Sequence, residues 1–172
     1  YQDFVRNNLD STLNILNEIE NHNIPNLVHI SSSVVESIAN DYYTDTKKEQ
    51  ERIVLDSGIS APILRPTLMF GWFDRKHLGW LSRFMKKVPI FPIPGNGRYM
   101  RQPLYSGDFC DIIISCIENN IKDGVFNISG HENIDYIDMI REIKKTTNSK
   151  ALILKIPFKF FYFLLWVWAL FD

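Results

Sequence analysis

A chain of 172 residues, 45% hydrophobic and 13% aromatic, is long enough to bury the core of one domain and too apolar to stay disordered. Its formal net charge of −1 gives no general electrostatic reason to expect nucleic acid or an anionic membrane as partner. Cys110 and Cys116 make neither a disulfide framework nor a zinc site. His22, His77 and His131 are scattered without metal-ligand spacing, so no metal centre is expected. Reduced thiols fit a cytoplasmic setting. The chain opens at Tyr1 inside what reads as a helix and stops at Asp172 directly after an apolar run, which reads as a piece of a longer polypeptide.

Phe4, Leu9, Leu13, Leu16 and Ile19 recur at helical spacing and predict a helix over roughly 2–22, ended by Pro25. Leu27-Val28-His29-Ile30 predicts a buried strand that stops at Ser31-Ser32-Ser33, with His29 a hydrogen-bonded core histidine. A second helix is predicted over 42–57, closed by Gly58, and a second strand over 61–70, ended by Gly71. Helix, strand, helix, strand with short connections is the rhythm of a parallel α/β sheet. Beyond Gly71 the pattern predicts a helix over 72–87. Pro89, Pro92 and Pro94 then lead into Gly95-Asn96-Gly97, a turn region of the kind that builds binding loops. A helix over 109–118, a strand over 125–128, a helix over 136–146 and a short strand over 152–154 complete the pattern.

The chemistry concentrates at Tyr43-Thr44-Asp45-Thr46-Lys47, soon after the serine run. A tyrosine and a lysine four apart share one helix face, where an ammonium can favour the phenolate. A serine at the end of the preceding strand can add a hydroxyl to the same reacting oxygen. Such a trio can move a proton on or off an alcohol or ketone.

Five ordered blocks resemble the extended short-chain dehydrogenase/reductases, the NAD-dependent epimerase/dehydratase group. They are Asn8-x-x-Ser11-Thr12; the strand running into Ser33; Tyr43 with Lys47; Ile63-Leu64-Arg65-Pro66-Thr67-Leu68-Met69-Phe70-Gly71; and Gly95-Asn96-Gly97 followed by Arg101, Tyr105 and Asp108. The resemblance implies a partial Rossmann-like, doubly wound parallel sheet with a small C-terminal substrate lobe. Residues 1–71 would be the C-terminal half of the dinucleotide-binding domain. Residues 72–172 would be mainly substrate lobe, with 124–130 returning to the sheet. It further implies NAD or NADP as cofactor and a small-molecule substrate such as a nucleotide sugar. Tyr43 would be the general acid/base, Lys47 its partner and a ligand of the nicotinamide ribose, and Ser33 a contact of the reacting oxygen. Asn7, Asn8, Ser31, Pro66 and Thr67 would line the cofactor, and Arg101 and Tyr105 the substrate, Arg101 through a phosphate. The glycine-rich fingerprint of a dinucleotide cradle does not occur in these residues, and Leu68 stands where sugar-nucleotide members usually carry asparagine. The alternative to an oxidoreductase or epimerase is a catalytically silent dinucleotide-binding scaffold or regulator. A homodimer is left open.

From Phe160 to Phe171 no residue is charged. As a helix this run rises about 18 Å at ~1.5 Å per residue, short of the roughly 30 Å of a bilayer core. Residues 158–171 are therefore expected to pack on protein or to lie on a membrane surface, which would make the protein peripheral.

Overall fold

The computed structural model describes residues 1–169; the end of the apolar run, Leu170 and Phe171, lies outside the described residues. Two compact units are defined by their internal contacts: Tyr1–Met69 with Leu104–Gly130, and Phe70–Pro103 with the residues from His131 onward.

The first unit is built on three parallel strands. β1 (His29–Ile30) pairs with β2 (Ile63–Pro66) through His29 opposite Ile63 and Ile30 opposite Leu64, and β2 pairs with β7 (Val125–Ile128) along its whole length. Strand residues alternate between faces, and the core divides accordingly. Ile63 joins Leu16 and Val54 on one face, whereas Leu64 joins Leu104 and Phe109 on the other. The first face is covered by α2 (Ser11–His22) and α3 (Tyr42–Asp56), the second by α5 (Ser106–Glu118) through Phe109, Ile112 and Ile113. This sheet, with helices on both faces, is the parallel α/β architecture expected from the pattern.

Local chemistry explains where the elements depart from their predicted limits. The first helix runs from α1 (Gln2–Phe4) into α2 through a π turn over Val5–Asp10, and the wider turn carries Asn7 and Asn8. It closes at Asn23 in the left-handed region, φ 49°, a conformation asparagine tolerates well. The strand expected over 61–70 is split into β2 and β3 (Met69–Phe70), because Thr67 donates its N–H to Ile128 and Leu68 offers its carbonyl to Leu104, the first residue of β6 (Leu104–Tyr105).

The second unit holds α4 (Leu78–Met85), β4 (Ile90–Pro94), β5 (Met100–Arg101), β8 (Ile134–Asp135), α6 (Tyr136–Thr146), β9 (Leu152–Ile156) and α7 (Phe158–Trp168). The helix expected from Trp72 begins only at Leu78, because the Asp74 carboxylate captures the N–H groups of Lys76, His77 and Gly79 and holds the preceding residues in a turn. The proline segment, read as a turn region, is in fact a strand: β4 pairs in parallel with β9 over Ile90–Pro94. Proline is tolerated because of register. Leu152 N donates to Pro89 O at 2.8 Å and Gly95 N to Ile156 O at 2.7 Å, so odd-numbered positions of β4 face β9. Pro92 and Pro94 turn their N–H-less nitrogens to the other edge. Gly95 itself has φ +64°, and a Cβ there would meet the Phe158 ring at 2.4 Å, so any other residue is strained and must push that ring aside. Met85, Phe91, Ile93, Ile137, Ile140 and Ala151 form this unit's core. No helix among the described residues is long and apolar enough to cross a membrane.

Candidate active site

The first unit places its chemistry where β1 and β2 end. Ser31 N donates to Leu64 O at 2.8 Å and Thr67 N to Ile128 O at 2.9 Å, so both residues sit at the carboxyl ends of parallel strands. That edge is where open α/β sheets bind ligands. Ser32 caps a short 3₁₀ turn over Ser33–Glu36, its Oγ accepting from Val34 N, and this turn presents Ser33 half-buried. The Ser33 hydroxyl makes no hydrogen bond among the described residues.

Helix α3 begins with Asp41 as its N-cap, the carboxylate accepting from Thr44 N at 3.0 Å and Thr44 Oγ1 at 2.8 Å. Those bonds hold the exposed Asp41 carboxyl below its ordinary pKa. The cap fixes Tyr43 in the first turn and Lys47 one turn later on the same side. Tyr43 is exposed and packs its ring against Phe4, centroids 6.3 Å apart. Lys47 is buried, and its Nζ donates to Ile30 O at 3.1 Å and to Gln50 Oε1 at 2.5 Å. Burial pushes its ammonium below the ordinary lysine pKa, with Glu51 pulling it back up. The ammonium thus lies under the end of β1 and bonds the strand rather than the Tyr43 phenol.

Behind this pair runs a polar network that the sequence reading did not identify. Glu51, nearly fully buried, accepts from Ser31 Oγ at 2.6 Å and from Arg65 Nε at 3.0 Å, with a second Arg65 nitrogen closing the bidentate fork. Arg65 also reaches Glu36 at 2.9 Å, and Asn127 Nδ2 donates to the same Glu36 oxygen at 2.9 Å. The segment carrying Ser33 is therefore tied at both ends, Ser31 to α3 and Glu36 to β2 and β7. Burial alone would raise the Glu51 carboxyl, but the bonds from Arg65 and Ser31 outweigh it and hold the group below its ordinary range. On the helix side, Asn8 Nδ2 donates to Thr46 Oγ1 at 2.9 Å and Gln50 Nε2 to Thr12 Oγ1 at 2.7 Å, fastening the π-turn helix to α3. The available signal was periodic: Lys47, Gln50 and Glu51 recur at helical spacing on one face of α3.

The remaining predicted residues divide between the units. Asn7 offers its carbonyl to Ser11 Oγ at 2.5 Å, and Pro66 is the last, buried residue of β2. Tyr105 stands at the start of α5 with its ring over Gly107, where a Cβ would meet it at 2.5 Å. Arg101 belongs to the second unit, exposed, with its guanidinium over the Tyr99 ring at 5.1 Å and Tyr99 stacked on Tyr136 at 5.0 Å. His29 is buried as expected, but its Nε2 has no hydrogen-bond partner among the described residues. Desolvation, with help from the Lys47 charge, lowers it from 6.5 to about 4, so it is neutral at pH 7.

A parallel sheet with hydroxyls at its carboxyl ends and a tyrosine and buried lysine on the following helix defines a half of an open, Rossmann-like α/β protein. Residues 1–129 match the model of the NAD dependent epimerase/dehydratase family. The chain belongs to that family. It is 23% identical over 137 residues to a UDP-glucose 4-epimerase of Vibrio cholerae, covering 77% of this chain and 40% of that protein. Its fold is shared with a UDP-glucuronic acid 4-epimerase of Bacillus cereus in complex with NAD (TM-score 0.79, 24% identity, 91% of this chain and 59% of that one). The UDP-N-acetylglucosamine 4-epimerase of Methanobrevibacter ruminantium is also similar (TM-score 0.72, 18% identity, 88% of this chain and 56% of that one). The chain therefore spans between about two fifths and three fifths of the length of these relatives.

Proposed function

We propose that the full-length protein is an NAD(P)-dependent oxidoreductase or epimerase acting on an alcohol or ketone carbon of a nucleotide sugar or related small molecule. The observation that carries the reading is the pairing of Tyr43 and Lys47 on α3 beside the carboxyl end of β1, with Ser33 on the adjoining turn. The donor set suits the nicotinamide–ribose half of a dinucleotide: a buried ammonium, a phenol, and hydroxyls at Ser33 and Thr67. When bound, the nicotinamide accepts and returns a hydride. This chain's residues handle the proton. The Tyr43 oxygen takes it from the substrate hydroxyl during oxidation and returns it on reduction. Ser33 orients the same substrate oxygen, and the Lys47 charge favours the phenolate once its bond to Gln50 is exchanged for the ribose. Asn7, Asn8 and Pro66 would line the cofactor, with Ser31 serving by holding its segment on Glu51. Arg101 and Tyr105 would meet the substrate, Arg101 through a phosphate, in keeping with a substrate role for the second unit. A homodimer is supported by the exposed apolar side chains of Leu13 on α2 and Leu55 on α3, and a cytoplasmic setting by the free thiols of Cys110 and Cys116. Contact of 158–171 with a membrane surface is supported by the exposed rings of α7.

One observation favours a silent dinucleotide-binding relative instead: the Lys47 ammonium is committed to Ile30 and Gln50. The two readings separate in one variant. Lys47→Ala in the full-length protein should lower kcat and weaken NAD(P) binding together, each by about tenfold or more, because one ammonium serves both phenol and ribose. Calorimetry and steady-state kinetics on the same preparation check this. Weakened binding of a cofactor that is never turned over supports the silent reading, and unchanged binding removes Lys47 from the site.

A further inference from the structure

The second unit carries a feature that the catalytic reading leaves unused. Between α6 and β9 lies an open groove of about 730 Å³ whose lining includes Arg141, Lys144, Lys145 and Lys155 and no acidic residue. Arg141 is held by Asp138 at 2.7 Å, and Lys145 approaches Glu142 only at 3.9 Å. Lys144 and Lys155 have no carboxylate partner among the described residues. The stretch from 136 to 160 holds six cations and two acids in a chain whose net charge is −1, so positive charge is gathered here although the whole molecule has none in excess.

Strand β9 leads from Lys155 through Pro157 into α7. The Pro157 carbonyl accepts from Phe160 N and Phe161 N, both at 3.0 Å, and the Phe158 ring closes over Gly95. The first turn of α7 is thereby fastened to the unit that carries the groove. Phe160, Tyr162, Phe163 and Trp166 are each 50% exposed or more. At ~100° per residue these four rings spread over about 160° of the helix circumference. A protein groove reads a narrow stripe at i, i+3, i+4 and i+7. A broad arc of rings beside a cluster of cations instead matches the boundary between lipid headgroups and acyl chains, where aromatic rings concentrate and phosphates supply negative charge. At eleven residues α7 rises about 16 Å, too little to span, so it would lie in the plane of the surface.

We infer that the α6–β9 groove and α7 together form a docking surface for an anionic bilayer, with lipid phosphates lodged among Arg141, Lys144, Lys145 and Lys155 and the α7 rings entering the headgroup boundary. This deepens the membrane contact proposed for 158–171 by assigning the headgroup charge it selects and the residues that select it.

The test is flotation of the full-length protein with vesicles of phosphatidylcholine alone and of phosphatidylcholine mixed with phosphatidylglycerol. Stronger binding to the anionic vesicles, weakened by salt, is expected. Each basic residue near an anionic surface strengthens binding about fivefold, so Lys144→Ala with Lys155→Ala should weaken anionic binding by about 25-fold. Thermal unfolding should be nearly unchanged, since Lys155 is exposed and the half-buried Lys144 has no carboxylate partner among the described residues. Trp166→Asp should weaken binding to both vesicles, and Tyr43→Phe should float as the parent does, which separates this proposal from the catalytic one. Equal binding to neutral and anionic vesicles, or no effect of the lysine pair, overturns the role of the groove. Absence of flotation overturns the docking surface. Binding of inorganic phosphate without vesicles, or self-association that replaces flotation, assigns the surface to another ligand and overturns it likewise.

Discussion

Tyr43→Phe in the full-length protein is expected to lower kcat by about 10²- to 10⁴-fold, or roughly 3–5 kcal/mol of barrier, while NAD(P) affinity stays within about twofold. Only the proton-transferring oxygen is removed. The ring remains packed on Phe4, and the Asp41 cap and the Lys47 bonds behind it do not depend on the hydroxyl. Cofactor titration and turnover measured on one preparation separate the two quantities. A lowered kcat with an equal loss of affinity would point to a disturbed helix rather than a missing acid/base. Unaltered turnover would remove Tyr43 from the chemistry.

The second large effect concerns stability. Arg65→Met leaves the nearly buried Glu51 carboxylate without its fork and leaves Glu36 on the serine turn held by Asn127 alone. Breaking a buried pair from one side costs about 3–5 kcal/mol, and the partial exposure of Arg65 places the expected loss near 3. For a protein of this size that lowers Tm by roughly 6–12 °C. Arg65→Lys keeps the charge but not the bidentate geometry and should fall between. The pH dependence has the same origin. Glu51 is held below its ordinary pKa, so its contribution is present above the usual carboxylate range and is lost as pH falls through the lowered value. His29, neutral when folded, adds to the trend: a pKa of about 4 against 6.5 unfolded removes about 3 kcal/mol as pH falls between those values. Thermal unfolding followed across that range should show steep acid destabilisation, flattened in His29→Gln. A profile that His29→Gln leaves unchanged would contradict the assignment.

How much of this could be read in advance follows from the range of the interactions. α6 coincides with its predicted segment because burial at Ile137, Met139 and Ile140 writes a helical period into the sequence, and β7 because Val125-Phe126-Asn127-Ile128 is a short apolar run set between Gly124 and Gly130. The parallel pairing of β1 with β2 followed from the short helical crossover between them. The proline strand was misread because its tolerance depends on which edge meets β9, a register set by residues sixty positions away. The late start of α4 turns on a single Asp74 carboxylate, legible only once its three N–H partners are in place. At the site, Tyr43 and Lys47 were visible because both lie on one helix. The Glu51–Arg65–Glu36 anchor joins α3, β2 and the serine turn, and no local pattern announces it. Its discovery also changes the meaning of Ser31, whose hydroxyl is spent on Glu51.

The central claim is that Tyr43 and Lys47 form the reacting end of a dinucleotide site. A crystal structure of the full-length protein with NAD(P) bound tests it most directly. The account predicts the nicotinamide ribose within hydrogen-bond reach of Lys47 Nζ, which gives up Gln50 to meet it, and the Tyr43 hydroxyl facing the nicotinamide ring beside Ser33. A bound dinucleotide with its nicotinamide remote from Tyr43, and Lys47 still closed on Ile30 O and Gln50, would contradict it.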